Sequence, residues 1–307
     1  KRRWMRTLPA YFLVLIFLIF YTLIFIPTNF PDTWYRFFFF IQNFLGNTRP
    51  NFFSEAWSIS VEEWFYLLVP LLLFSFLIFF KTTIKWTIFF ISLLIILLVT
   101  WYRFHLYHSF NIPNNPNPDQ LIHIKETLIN LRIRYQVIPR LDSIMYGVLG
   151  AFLAHYNPKI WNNKLNVLLF FIALYILYYT KFNIGKTYAP FAVIWYPTII
   201  SLAIFMMLPF LSNMRKGLGK WTSWITFFSL ISYSMYLVNL NVVAFAIIKS
   251  TIHGDYSVDK FIPGDYWVLD YILFWLLTIF ISFILYKFIE YPFMKMRDKR
   301  TNAIDNV

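Results

Sequence analysis

Eight runs of apolar residues, each close to the ~20 needed to cross a bilayer as helix, dominate this sequence. They fall at roughly 10–27, 57–80, 84–104, 140–156, 164–180, 190–211, 222–249 and 266–290, bounded by charge, proline or asparagine clusters. A spanning segment must satisfy its backbone N–H and C=O groups internally, so helix is the form such runs dictate. The expected fold is all-α: a polytopic transmembrane helical bundle of about eight spans. A ninth run, 34–46, is too short to cross and is expected as a short re-entrant or interfacial helix. Only 13% of residues are charged, about half the usual ~25% of soluble domains, and 37 are Phe. A soluble fold could not hide so much apolar surface without very large exposed patches. A soluble enzyme, a disordered chain and a nucleic-acid-binding domain are excluded. With no Gly/Ser linker and no repeat, 1–307 reads as a single membrane domain.

The net charge of +13 would point to a polyanionic partner on a soluble protein. Here Lys and Arg cluster at the ends of apolar runs, where they set orientation. Segments 1–6, 81–85, 157–164, 215–220 and 287–300 are basic. The alternating connections are less so: 250–265 carries Asp255, Asp259 and Asp265, and 28–33 has no Lys or Arg. Segment 105–139 is the exception, with Arg132 and Arg134; it is expected as a long extracytoplasmic loop, and long loops weigh little in the charge rule. Both ends of the chain are then cytoplasmic. Residues 1–6 look like a signal-peptide n-region, but no cleavage site follows, so they read as a cytoplasmic loop with more chain before it. The absence of cysteine removes disulfides, Cys-ligated metals and thiol nucleophiles. His105 and His108 lie beside Trp101, Tyr102, Arg103 and Phe104 and are expected in an interfacial aromatic belt rather than a metal site.

Polar side chains inside spans carry the functional information, because each is costly unless paired or wet. Ser58, Glu62 and Tyr66 are four apart and share one helical stripe. A capping carboxylate near the span's start is the bland alternative for Glu62. Asp142, Tyr146 and Gly150 line another face, and Gly147 with Gly150 would admit a close helix neighbour. Arg140 stands at the same depth as Glu62, so an Arg140–Glu62 pair is expected; a snorkelling Arg is the alternative. Ser229, Ser232, Tyr236 and Asn239 form a third stripe, either interhelical glue or a cavity wall. Arg3 and Arg6, three apart, suit a phosphate-bearing ligand or plain anchoring. Glu290, near Lys287, Lys295 and Arg297, reads as charge pairing.

These residues occur in a recognisable order: Arg3-x-x-Arg6-x-x-Pro9-x-Tyr11, Trp57-Ser58-Ile59-Ser60-Val61-Glu62-Glu63-x-Phe65-Tyr66 with Pro70, Arg140-x-Asp142 leading to Gly147 and Gly150, Ser232-Tyr233-Ser234-Met235-Tyr236-Leu237, and Glu290-x-Pro292. Over nearly the whole chain this resembles the acyltransferase-3 family of bacterial integral membrane acyltransferases. The resemblance implies transfer of an acyl group, most often acetyl, from cytoplasmic acyl-CoA to a hydroxyl of a cell-surface or exported glycan at the bacterial inner membrane. It implies acyl-CoA as donor substrate, no bound cofactor, no metal, and the lipid bilayer and glycan as partners. It assigns Arg3 and Arg6 to the acyl-CoA end, and Glu62 with Ser58 and Tyr66, and Arg140 with Asp142, to the catalytic centre. Family members have about ten spans, the first carrying an Arg and, about three turns on, a His taken as catalytic base. That helix has no counterpart here, so Lys1 is expected in the loop after the family's second span, and this chain alone would lack that base. Asn239 stands where many relatives have His. The competing class is a transporter or flippase for a glycan or lipid-linked substrate, though no repeated halves are visible.

Overall fold

The computed structural model describes residues 3–44, 52–110, 132–184, 190–214, 221–255 and 267–296. Expectations for 1–2, Gly46, 111–119, Asp259, Asp265, 215–220 and Arg297 fall outside the described residues. Among the described residues there is no strand. The main helices are α1 Trp4–Phe25, α2 Ala56–Phe80, α3 Ile84–Ser109, α4 Leu141–Tyr156, α5 Asn166–Tyr179, α6 Pro190–Ser212, α7 Trp221–Val238 and α8 Trp267–Leu285. Three continue in wider, i→i+5 bonded turns: α5 over Thr180–Ile184, α7 over Asn239–Ile252 and α8 over Tyr286–Glu290.

Seven helices among the described residues are long and apolar enough to cross a membrane. The exception among the eight expected spans is α4, sixteen residues long, about 24 Å against a hydrocarbon core of ~30 Å. It is stopped at Asn157, which precedes Pro158 and leaves the helical region (φ −133°, ψ 58°) because a following proline disfavours it. At the other boundary α3 runs on to Ser109, so the expected outer loop 105–139 begins inside helix. His105 stacks on Trp101 (6.0 Å) and His108 lies tilted against Phe104 (4.1 Å) in that last stretch.

The chain groups into two compact units where the sequence reads as one domain: 1–39, 49–56 and 217–307 form the first, 40–48 and 57–216 the second. In the first, α1 buries Ala10, Tyr11, Val14, Leu15 and Leu18, a stripe at helical spacing. Tyr11 stacks on Phe53 at 5.3 Å and its hydroxyl donates to the Phe37 carbonyl at 2.9 Å. The family-like Tyr11 is therefore a fastener for the segments flanking α1. The helix expected over 34–46 is only a 3₁₀ turn, Trp34–Phe37. Three residues on, Phe40 is left-handed (φ 56°), a conformation that costs a bulky residue about 1–2 kcal/mol and ends any helix there.

In the second unit the Phe40 carbonyl accepts the Trp64 indole N–H at 2.9 Å, which holds that bend. Val61, Phe65 and Val69 of α2 turn toward the core, where Phe65 and Val69 meet Ile91, Ile95, Ile96 and Val99 of α3 and Met145 of α4. Gly150 of α4 faces α6: a Cβ there would stand 3.2 Å from Leu208 Cδ1 and 3.8 Å from Phe205. Gly147 has open space around it, so only one of the two expected packing glycines acts as such. Gly150→Val should therefore lower the thermal stability of the detergent-extracted protein by several degrees, overpacking costing about 1–3 kcal/mol, while Gly147→Ala should not lower it.

Candidate functional site

The second unit concentrates polar side chains where α3, α4 and α6 meet. Asp142 in the first turn of α4 is fully buried, as is Arg103 of α3. Arg103 Nη2 donates to Asp142 Oδ2 at 2.5 Å and to Thr198 Oγ1 of α6 at 2.8 Å, and Thr198 Oγ1 lies 3.3 Å from the same carboxylate oxygen. One turn along, Ser201 donates to Ser143 at 3.0 Å. Two opposite charges inside adjoining apolar helices are tolerable only together. Sequence reading placed Arg103 in the aromatic belt and missed this pair. The available signal was an Arg and an Asp at matching depth in consecutive spans.

Arg140 does not pair with Glu62, contrary to expectation. Its guanidinium lies over the Trp57 ring, 5.9 Å from the centroid, and its charged neighbours are Asp142, Arg103 and Arg134. Asn43 holds this corner together, donating to the carbonyls of Trp57 (3.0 Å) and Tyr135 (2.6 Å). Glu62 and Tyr66 lie on the exposed side of α2, with Ser58 half-buried. The predicted stripe thus exists, but on the face away from the core. A carboxylate there costs at least about 2.5–3.5 kcal/mol against lipid, so that face of α2 calls for water or protein contact.

In the first unit, residues from three family-like motifs converge. Glu290 is fully buried and accepts a hydrogen bond from Ser234 Oγ of α7. Its nearby cation is Arg6 of α1, and Tyr233 donates to the Thr7 carbonyl at 2.9 Å. The expected pairing with Lys287 is not made, since that ammonium sits over the Phe283 and Phe288 rings. Arg3 is half-buried and Arg6 exposed at the start of α1, a position from which both can reach a ligand.

Glu55 is a second residue that sequence reading overlooked. Its carboxylate accepts the backbone N–H groups of Leu240 (3.0 Å) and Asn241 (3.1 Å), where α7 passes into its wider turns. Tyr236 donates to the Glu55 carbonyl at 2.8 Å, and Asn241 bridges the Ser54 N–H and the Phe52 carbonyl. Of the expected stripe, Ser229 and Ser232 are exposed and Tyr236 alone acts as glue. Asn239 sits beside this junction. Burial pushes the Glu55 carboxyl up to about 7 from 4.5, so the folded chain holds a proton that the unfolded chain has released between these values. Stability contributed by the neutral carboxyl is complete below about pH 4.5 and is lost as pH rises through about 7. The melting temperature should fall between pH 5 and pH 8 in the wild type and stay level in Glu55→Gln, which keeps the acceptor oxygen without the charge.

Among the described residues no three His, Asp or Glu side chains gather as a metal site requires. No curated protein and no solved structure matches the chain. The model of the acyltransferase domain, family acyltransferase-3, matches residues 1–287 and so runs through both units. With seven helices of membrane-crossing length and the motif residues at the positions described, the chain is a multi-pass membrane protein belonging to the acyltransferase-3 family.

Proposed function

We propose that this protein transfers an acyl group, foremost acetyl, from acyl-CoA to a hydroxyl of a cell-surface or exported glycan. The observation that carries this reading is the acyltransferase domain match over residues 1–287. The setting is the bacterial inner membrane, with the short α4 crossing as an eighth span, both ends of this chain in the cytoplasm and acyl-CoA arriving from that side. Arg3 and Arg6 take the donor's phosphates; guanidinium forks suit phosphate better than lysine does. Glu290, held by Ser234, lies beside Arg6 and so orients it.

In the reaction the acceptor oxygen attacks the thioester carbonyl, its proton passes to a base, and the C–S bond breaks to release the CoA thiol. A positioned donor stabilises the oxyanion. Glu62, with Ser58 and Tyr66, orients the acceptor or the base from the exposed face of α2; Arg140 and Asp142 organise the acceptor's side. The test uses membranes containing the protein and membranes from a deletion strain, both given acetyl-labelled acetyl-CoA. Alkali-labile label on glycan only with the protein present is the expected result. Glycan that is moved across the membrane without acquiring label would favour a transporter instead.

A further inference from the structure

We propose that the Arg140 end of the second unit binds an acidic group of the acceptor, a carboxylate or a phosphate, so that the glycan acylated is an acidic one; this rests on the acyl-transfer reading. The two ends of this unit differ in their cations. Lys81, Lys159 and Lys164 follow α2 and α4, and Lys85 lies in the first turn of α3, at the end assigned to the cytoplasm. The opposite end, toward the exported glycan, carries Arg103, Arg134 and Arg140, the first two close enough to act on the charge of the third. Trp57 and Tyr135 meet edge to face at 5.5 Å, with Arg140 over the first ring and Arg134 over the second (5.9 and 5.7 Å).

Hydrogen-bond arithmetic at this corner narrows the ligand. Asp142 is the carboxylate among Arg140's charged neighbours, and its Oδ2 is committed to Arg103 and Thr198. The Arg140 guanidinium donates no hydrogen bond to any described residue's carboxylate or hydroxyl, which leaves its planar fork open. Arg103 is fully buried, yet its Nε and Nη1 have no partner, and neither has Asp142 Oδ1. Buried polar atoms of this kind call for a partner. Open guanidinium donors fit an anion bidentately, and the single open carboxylate oxygen fits a hydroxyl beside it. An acidic group next to a hydroxyl is the pattern of a sugar acid or a phosphorylated sugar. Acyl-CoA shares the phosphate chemistry but belongs to the other side of the membrane, so the acceptor is the source we commit to.

The test gives membranes holding the protein labelled acetyl-CoA and two acceptor pairs. One pair is a uronic-acid oligosaccharide and its carboxyl-reduced form; the other is a phosphorylated oligosaccharide and its dephosphorylated form. The wild type is expected to use at least one acidic member with kcat/KM about ten- to hundredfold above its neutral partner. Arg140→Gln is expected to erase that preference by raising the acceptor KM, with the acetyl-CoA KM unchanged. Arg140→Lys keeps the charge over Trp57, and so the fold, but not the fork; it is expected to lose most of the preference. Equal use of acidic and neutral partners by the wild type overturns the inference while leaving acyl transfer intact. So does a rise in the acetyl-CoA KM of either variant with the acceptor KM unmoved, which would assign Arg140 to the donor's phosphates. Wild-type transfer to none of the four overturns both the inference and the reading beneath it.

Discussion

Asp142→Ala is expected to cost about 3–5 kcal/mol of stability, because it strands the Arg103 guanidinium among three helices with only hydroxyl partners. Arg103 and Asp142 are both fully buried, so no solvent shares the burden. The double variant Arg103→Leu, Asp142→Leu should recover most of that loss, since removing both charges leaves no uncompensated ion, and apolar replacements of a buried pair are often neutral. Thermal aggregation of the detergent-extracted protein, followed through a fluorescent fusion, reads the difference. If the single variant melts with the wild type, the pair is not buried as described. If the double variant is as unstable as the single, the loss comes from the packing of the side chains rather than their charges. A stable double variant with impaired transfer would separate the pair's two roles, holding α3, α4 and α6 together and meeting the acceptor.

Glu62→Gln is expected to behave in the opposite way. Glu62 lies on the exposed side of α2, so the change should leave the amount of inserted protein and its melting temperature near wild type. Transfer should fall by about a hundredfold or more, the scale on which loss of a group governing proton transfer acts. Full activity in Glu62→Gln would remove this carboxylate from the site and leave the Arg140 corner as the acceptor's only organiser.

The contrast between these two acids shows what the sequence could carry. Depth along a span follows from residue number, so the apolar runs, the early position of Asp142 in α4 and the polar stripe on α2 were all legible. Azimuth relative to a neighbouring helix does not follow from residue number. Glu62 and Arg140 are expected at matching depth from residue number, yet α2 turns Phe65 and Val69 to the core and Glu62 outward, while Arg140 settles on Trp57. Arg103 was hidden by its company: amid Trp101, Tyr102 and Phe104 it reads as a belt residue, and only packing of α3 against α4 shows its carboxylate. Glu55 was hidden for another reason. Its partners are backbone N–H groups of Leu240 and Asn241, which leave no side-chain pattern to read. Glycine gave half an answer, since Gly150 meets α6 and Gly147 meets nothing.

Release of the CoA thiol measures acyl transfer most directly. Purified protein in sealed vesicles is supplied with acetyl-CoA outside and an acidic oligosaccharide inside, then the reverse, with CoA thiol and glycan ester both quantified. Thiol is expected to appear one for one with ester when Arg3 and Arg6 face the acetyl-CoA, and neither product when Arg6→Gln and Arg3→Gln are combined. Oligosaccharide that crosses the bilayer with no thiol and no ester formed in either arrangement would contradict acyl transfer.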